Sequence, residues 1–230
     1  MSNKVRIIGG KWRGRKINFP ALKDLRPTPN RIRETLFNWL APIIDGADCL
    51  DLFAGSGALG FEALSRGAGQ VIMVDTEPQV IAQLKVNQQM LDAENLEILH
   101  MNAEQYIAQT VKRSSRKENL SSRGLTAGSR KISCPLDPPA VKPRDDKLVP
   151  QNNNPEESFD IIFLDPPFQK QLIPKFCQLI AENNLLKSKG YVYIETDSAL
   201  SPDDLPPNWQ IIKQKQAGKV WYYLLHREKK

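Results

Sequence analysis

No stretch of this chain approaches the roughly 18 consecutive apolar residues needed to cross a bilayer. No apolar core follows Met1-Ser2-Asn3-Lys4, so nothing reads as a signal peptide. The expected compartment is the cytoplasm, with no membrane partner. Cysteine is scarce. Cys49, Cys134 and Cys177 stand far apart and show no metal spacing, which argues against a disulfide framework or a zinc module. Cys49 and Cys177 lie in apolar surroundings and read as buried thiols. The two histidines, His100 and His226, have no triad partners in sequence, and no metal site is expected.

What is present suits one globular unit. The chain has 230 residues, 40% of them hydrophobic, enough for a substantial core. The net charge of +6 permits a polyanionic partner without requiring one. Its distribution says more. Lys4, Arg6, Lys11, Arg13, Arg15, Lys16, Lys23 and Arg26 crowd the N-terminus, with Asp24 the single acid among them. Such a glycine-rich basic stretch can follow a phosphate backbone, and Trp12 is expected to offer a stacking surface. A solvated basic hairpin is the plainer alternative.

The most informative segment is Asp165-Pro166-Pro167-Phe168, which ends the apolar run 159–164. That run reads as a buried strand. Each proline fixes φ and lacks an N–H, so the turn is stiff. It offers a carboxylate and a backbone carbonyl, both acceptors, beside an aromatic face. A planar group bearing an NH2 satisfies both acceptors and stacks on the ring. An ordinary strand-ending turn would also use Asp and Pro.

A second motif lies upstream. The strand around Cys49-Leu50-Asp51-Leu52-Phe53 runs into Gly55-Ser56-Gly57, and Gly60 completes G-x-G-x-x-G as a helix begins. Alone, that pattern is weak. The next strand, 70–74, ends on Asp75, where an acid can accept hydrogen bonds from ribose hydroxyls. Two ligands compete for the turn. A dinucleotide would set its pyrophosphate on the helix N-terminus. S-adenosylmethionine has no phosphate. Asp51, just before the glycines, repels the first and attracts the ammonium of the second.

Asp51, Asp75 and the Asp-Pro-Pro-Phe turn together resemble the S-adenosylmethionine-dependent amino-group methyltransferases. The segments Val5-Arg6-Ile7-Ile8-Gly9-Gly10-Lys11-Trp12-Arg13-Gly14-Arg15 and Leu25-Arg26-Pro27-Thr28-Pro29-Asn30-Arg31-Ile32-Arg33 sharpen the likeness. With them, the chain resembles the bacterial RsmD-type enzymes, which methylate N2 of a guanine in 16S ribosomal RNA. The motifs that carry this cover about 5–111 and 158–226. The resemblance implies an α/β, Rossmann-like methyltransferase fold. Its sheet would be mostly parallel and seven-stranded, with helices on both faces and an N-terminal β-hairpin and helix extension. It also implies S-adenosylmethionine as cofactor, held by Asp51, Gly55, Ser56 and Gly57 near the methionine part. Asp75 would hold the ribose, with Glu77 a competing acid, and Asn102 and Ala103 would lie near the adenine. Asp165, Pro166, Pro167 and Phe168 would form the catalytic turn. Arg6, Lys11, Arg13, Arg15, Arg26 and Arg31 would contact RNA, either free or within a small subunit. A monomer is expected.

The coarse pattern agrees. Residues 1–40 read as a basic hairpin and a helix, with Thr28 or Asn30 as its N-cap and Pro29 in the first turn. Residues 41–230 read as the methyltransferase domain, in which strands and helices alternate. Residues 112–157 break the pattern. Rich in Ser, Pro, Lys and Arg, they lack periodicity and are expected to be a disordered insertion. Strand 190–195 and the antiparallel pair 209–213 and 220–225 would close the sheet. Three other functions stay open: a DNA or RNA methyltransferase acting on adenine N6 or cytosine N4, an NAD-dependent oxidoreductase, and a non-catalytic RNA-binding protein. The oxidoreductase leaves the Asp-Pro-Pro-Phe turn and the N-terminal arginines unexplained.

Overall fold

The computed structural model describes residues 2–23, 25–110, 159–167 and 172–228. Two expectations, the insertion at 112–157 and the position of Phe168, lie outside them.

Strands β1 (Ser2–Arg6) and β2 (Lys16–Pro20) pair antiparallel as a separate two-stranded sheet. Helix α1 (Asn30–Leu40) follows. The central sheet then begins with β3 (Asp48–Asp51), α2 (Ala58–Ser65), β4 (Gln70–Asp75), α3 (Pro78–Leu91) and β5 (Leu96–His100). Helix α4 occupies 103–110. After the undescribed stretch come β6 (Phe159–Leu164), α5 (Leu172–Glu182), β7 (Leu186–Thr196), β8 (Trp209–Ala217) and β9 (Val220–Arg227). The seven strands lie in the order β5-β4-β3-β6-β7-β9-β8. All pairs are parallel up to β7, and β9 and β8 close the edge antiparallel.

The strand order reverses between β3 and β6, which are hydrogen-bonded neighbours. In open α/β sheets, ligands bind in the crevice at the carboxyl ends of such a pair. Asp51 ends β3 and Asp165 follows β6, so the topology alone brings the two motifs together.

Each sheet face has its own core. Cys49, Val71, Met73, Ile161, Phe163 and Tyr193 pack with the N-terminal arm (the hairpin and the residues that lead from it to α1) and with α1, α2 and α3. Leu50, Val74, Ile162, Leu164, Val192 and Ile194 pack with α4 and α5. Side chains alternate along a strand. The acids that end β3, β6 and β7 therefore project to the face covered by the arm.

Three local expectations change. Neither Thr28 nor Asn30 caps α1. Pro29 is the N-cap and makes no side-chain capping bond. Thr28 instead donates to Asp165, and the Asn30 Oδ1 accepts from Arg33. Trp12 is buried at 6% exposure within the core, so it offers no stacking surface. Strand β7 begins at Leu186, four residues before the expected start. Leu186 pairs with Phe159 and is buried, and the polar stretch 187–189 is a bulge between two paired segments.

Candidate active site

The glycine turn owes its shape to close approach. Gly57 has φ +75°, a region other residues rarely adopt, and a Cβ there would meet Leu84 Cδ2 at 2.6 Å. At Gly60 a Cβ would lie 2.2 Å from Met73 Cε, so glycine is what lets α2 lie against β4. Ser56 is buried, and its hydroxyl accepts from the amide of Ala58.

Asp51 is 1% exposed, and its Oδ1 has no hydrogen-bond partner among the described residues. Burial, then the nearby charge of Asp165, raises its pKa to about 7, while backbone amides of Phe53 and Gly60 favour the ionised form. An acceptor-only oxygen in this setting fits an ammonium and would repel a phosphate. The donor set therefore fits the methionine end of S-adenosylmethionine.

Asp75 plays a part the motif did not reveal. Its Oδ2 accepts from the amide of Gly55 at 2.8 Å, and its Oδ1 from the amide of Glu77 at 2.9 Å. It ties the glycine turn to the tip of β4, and Glu77 beside it is exposed. Asn102 and Gln105 exchange side-chain to backbone bonds that cap α4, and Ala103 is buried.

Asp165, Pro166 and Pro167 continue directly from β6, with Pro166 buried and Pro167 exposed. The Thr28 hydroxyl donates to Asp165 Oδ2 over 3.2 Å. Burial raises the Asp165 pKa to about 6, and the Thr28 hydrogen bond opposes that rise. Two further groups complete this end of the site. Glu195, at the end of β7, is 3% exposed and accepts from the Tyr193 hydroxyl at 2.9 Å. Arg33 is fully buried and donates to Thr28 O, Arg6 O and Asn30 Oδ1. Its pKa is lowered, chiefly by burial.

Sequence reasoning missed Thr28, Glu195 and Arg33. Two of them carried a signal. Glu195 ends an apolar strand, as Asp51 and Asp165 do. Arg33 lies three, four and seven residues before Leu36, Phe37 and Leu40, on the apolar face of α1.

The six basic residues Arg6, Lys11, Arg13, Arg15, Arg26 and Arg31 are all exposed. Arg15 donates to Met90 O. A cleft of about 330 Å³ lies between the hairpin and the start of α1, lined in part by Lys4, Arg6, Lys16, Thr28 and Asn30. Thr28 thus belongs both to this basic cleft and to the contact with Asp165. Another cleft, of about 360 Å³, lies beside Asn184, Pro206 and Arg227 and holds none of these groups.

A doubly covered sheet with an acid and glycine turn after one strand and an Asp-Pro-Pro turn after its neighbour defines a Rossmann-like methyltransferase fold. Solved structures agree. An Escherichia coli methyltransferase matches with TM-score 0.73 and 35% identity, over 99% of this chain and 100% of that one. A Haemophilus influenzae methylase matches with TM-score 0.63 and 33% identity, over 99% and 100%. The family described as "Conserved hypothetical protein 95" matches residues 5–120 and 124–226. The chain belongs to this family, and it is also similar to the proteins named ribosomal RNA small subunit methyltransferase D. The Escherichia coli K12 protein of that name is 37% identical over 227 residues, covering 99% of this chain and 92% of its own length. Its Haemophilus influenzae counterpart is 37% identical over 223 residues, covering 96% and 93%. The family match crosses most of 112–157, a wider span than the motifs alone covered.

Proposed function

We propose that this protein uses S-adenosylmethionine to methylate ribosomal RNA of the small subunit, at the exocyclic N2 amine of a guanine. The observation that carries the reading is the placement of Asp51 and Asp165 at the strand-order reversal. One is an acceptor suited to an ammonium, and the other begins a turn suited to an amine. The names of the relatives supply the substrate class.

Bound S-adenosylmethionine supplies an electrophilic methyl group. The chain's own residues do the rest. Asp51 and the turn Gly55-Ser56-Gly57 hold the methionine end, Asp75 or Glu77 the ribose, and Asn102 with Ala103 the adenine side. Asp165 and the Pro166 carbonyl accept the two N–H bonds of the guanine amine. That pull favours a pyramidal nitrogen in a near-attack geometry. Asp165 also accepts the proton that the nitrogen sheds. Phe168 stacks on the base, which must leave its helix or come from a loop. The exposed arginines and the cleft beside Thr28 bind the phosphate backbone.

Small subunits, free RNA and DNA incubated separately with tritiated S-adenosylmethionine, followed by nucleoside analysis, test this reading. Label in N2-methylguanosine from ribosomal RNA is expected. Label in N6-methyladenine or N4-methylcytosine, or none on RNA, would overturn it.

A further inference from the structure

We propose that Glu195 is a positioning residue for this site: carrying a proton, it fixes the hydroxyl of Thr28 as a donor to Asp165 and so keeps Asp165 ionised and aimed at the amine. The proposal rests on the methyl-transfer reading above.

The geometry begins in the sheet. Strands β6 and β7 are parallel neighbours in which Leu164 pairs with Ile194. The next rung places Asp165 beside Glu195. Alternation puts both on the face of Phe163 and Tyr193, the face that the arm covers. Thr28, 5% exposed, reaches down from the arm onto these two strand tips. Its hydroxyl donates to Asp165 Oδ2 and also faces the carboxyl of Glu195. On the other side, the Tyr193 hydroxyl donates to Glu195 Oε1.

A hydroxyl has one proton and cannot donate to two carboxylates at once. If both acids were ionised, one would face a lone pair of Thr28 beside another negative charge. With the proton on Glu195, every group is satisfied. Tyr193 donates to Glu195, Glu195 donates to Thr28, and Thr28 donates to Asp165. Such a chain polarises each member in the same sense.

The groups facing Glu195 are Asp165, Arg33, Tyr193 and Tyr222, its partner on β9. Asp165 also faces Asp51. Burial and the charge of Asp165 raise the Glu195 pKa well above the carboxylate range, against the neighbouring Thr28 hydroxyl, the hydrogen bond from Tyr193 and the charge of Arg33. The Arg33 guanidinium does not neutralise Glu195 directly, because it is engaged by Thr28 O, Arg6 O, Asn30 Oδ1 and Glu62. The proton that the amine sheds goes to Asp165 and on to water. The proton on Glu195 stays throughout.

Infrared titration of the unliganded protein reads the protonation directly. A protonated-carboxyl band is expected in the wild type well above pH 7, where Asp51 and Asp165 have ionised, and should be missing from Glu195→Gln. Glutamine remains a neutral donor, so Glu195→Gln should keep turnover at neutral pH. Glu195→Ala should lose about ten- to a hundredfold in kcat with unchanged affinity for S-adenosylmethionine. The wild type should lose activity at alkaline pH as Glu195 ionises. Glu195→Gln should lack that alkaline limb but keep the acid limb set by Asp165. Thermal melts establish that both variants fold. A band that persists in Glu195→Gln, a wild type without one, or equal damage from Gln and Ala would overturn the proposal and leave the methyl-transfer reading standing. A wild type that methylates no RNA would overturn that reading, and this role with it, even with the infrared difference present.

Discussion

Glu62, in the helix after the glycine turn, lies 3.5 Å from the guanidinium of Arg33, and neither side chain is exposed. Glu62 also accepts from the amides of Ile8 and Gly9 and pairs with Arg66. One carboxylate thus ties the basic hairpin, α1 and α2 together. The same Arg33 holds the backbone of Thr28, whose hydroxyl reaches Asp165. The basic hairpin and the turn that begins at Asp165 are therefore braced by one buried ion pair.

Removing one partner of such a pair strands a buried charge. Glu62→Ala is expected to destabilise the fold by about 3–5 kcal/mol in denaturant unfolding. The hairpin amides of Ile8 and Gly9 should lose hydrogen-exchange protection in step. A loss within about 0.5 kcal/mol, the range of an ordinary surface substitution, would mean the pair does not brace the arm.

Asp165→Ala should lower turnover by at least about a hundredfold and leave affinity for S-adenosylmethionine nearly unchanged. In the proposed mechanism the acceptor acts on the amine and its proton, away from the ammonium at Asp51. Single-turnover methylation and calorimetric titration of the cofactor separate the two effects. Parallel loss of cofactor binding would give Asp165 a different job.

Asp51 holds its proton up to about 7, against 3.8 for an ordinary aspartate. Between those values the folded chain binds more protons than the unfolded one, so stability falls as pH rises through that window. Asp165, raised to about 6, acts in the same direction over the lower part of it. Thermal melts across this range should show the decline, and Asp51→Asn should flatten it. S-adenosylmethionine should raise the wild-type midpoint, more so above pH 7, where Asp51 is charged before the ligand arrives. NAD should produce no shift. A shift with NAD alone would reverse the assignment of the turn.

Replacing Arg6, Arg13 and Arg15 together with Ala should weaken RNA binding and flatten its salt dependence. Each lost phosphate contact removes about 0.7 to 0.9 from the log–log slope. Arg6 lines the cleft beside Thr28, whereas Arg15 is anchored on Met90 O, so Arg6 should account for more of the effect. RNA titrations at several salt concentrations decide this. An unchanged slope would make the arm a solvated hairpin.

The sequence by itself determined the elements, the strand-tip motifs and hence the family. Those signals are local. An apolar run such as 159–164, short and stopped by two prolines, favours a buried strand, and a Gly55-x-Gly57-x-x-Gly60 turn admits close packing in a βα unit. Tertiary structure alone decided how the groups are used. Thr28 looked like a helix cap but donates across 137 residues to Asp165. Trp12 looked available to RNA but fills the core under the hairpin. Asp75 has a second task that the motif did not reveal, since both its oxygens hold backbone amides. Glu195 became part of the site only when β7 paired beside β6. A side chain's partner is set by whichever acceptor or cavity the fold brings within about 3 Å, and contacts between distant segments leave no periodicity or spacing for sequence reasoning to find.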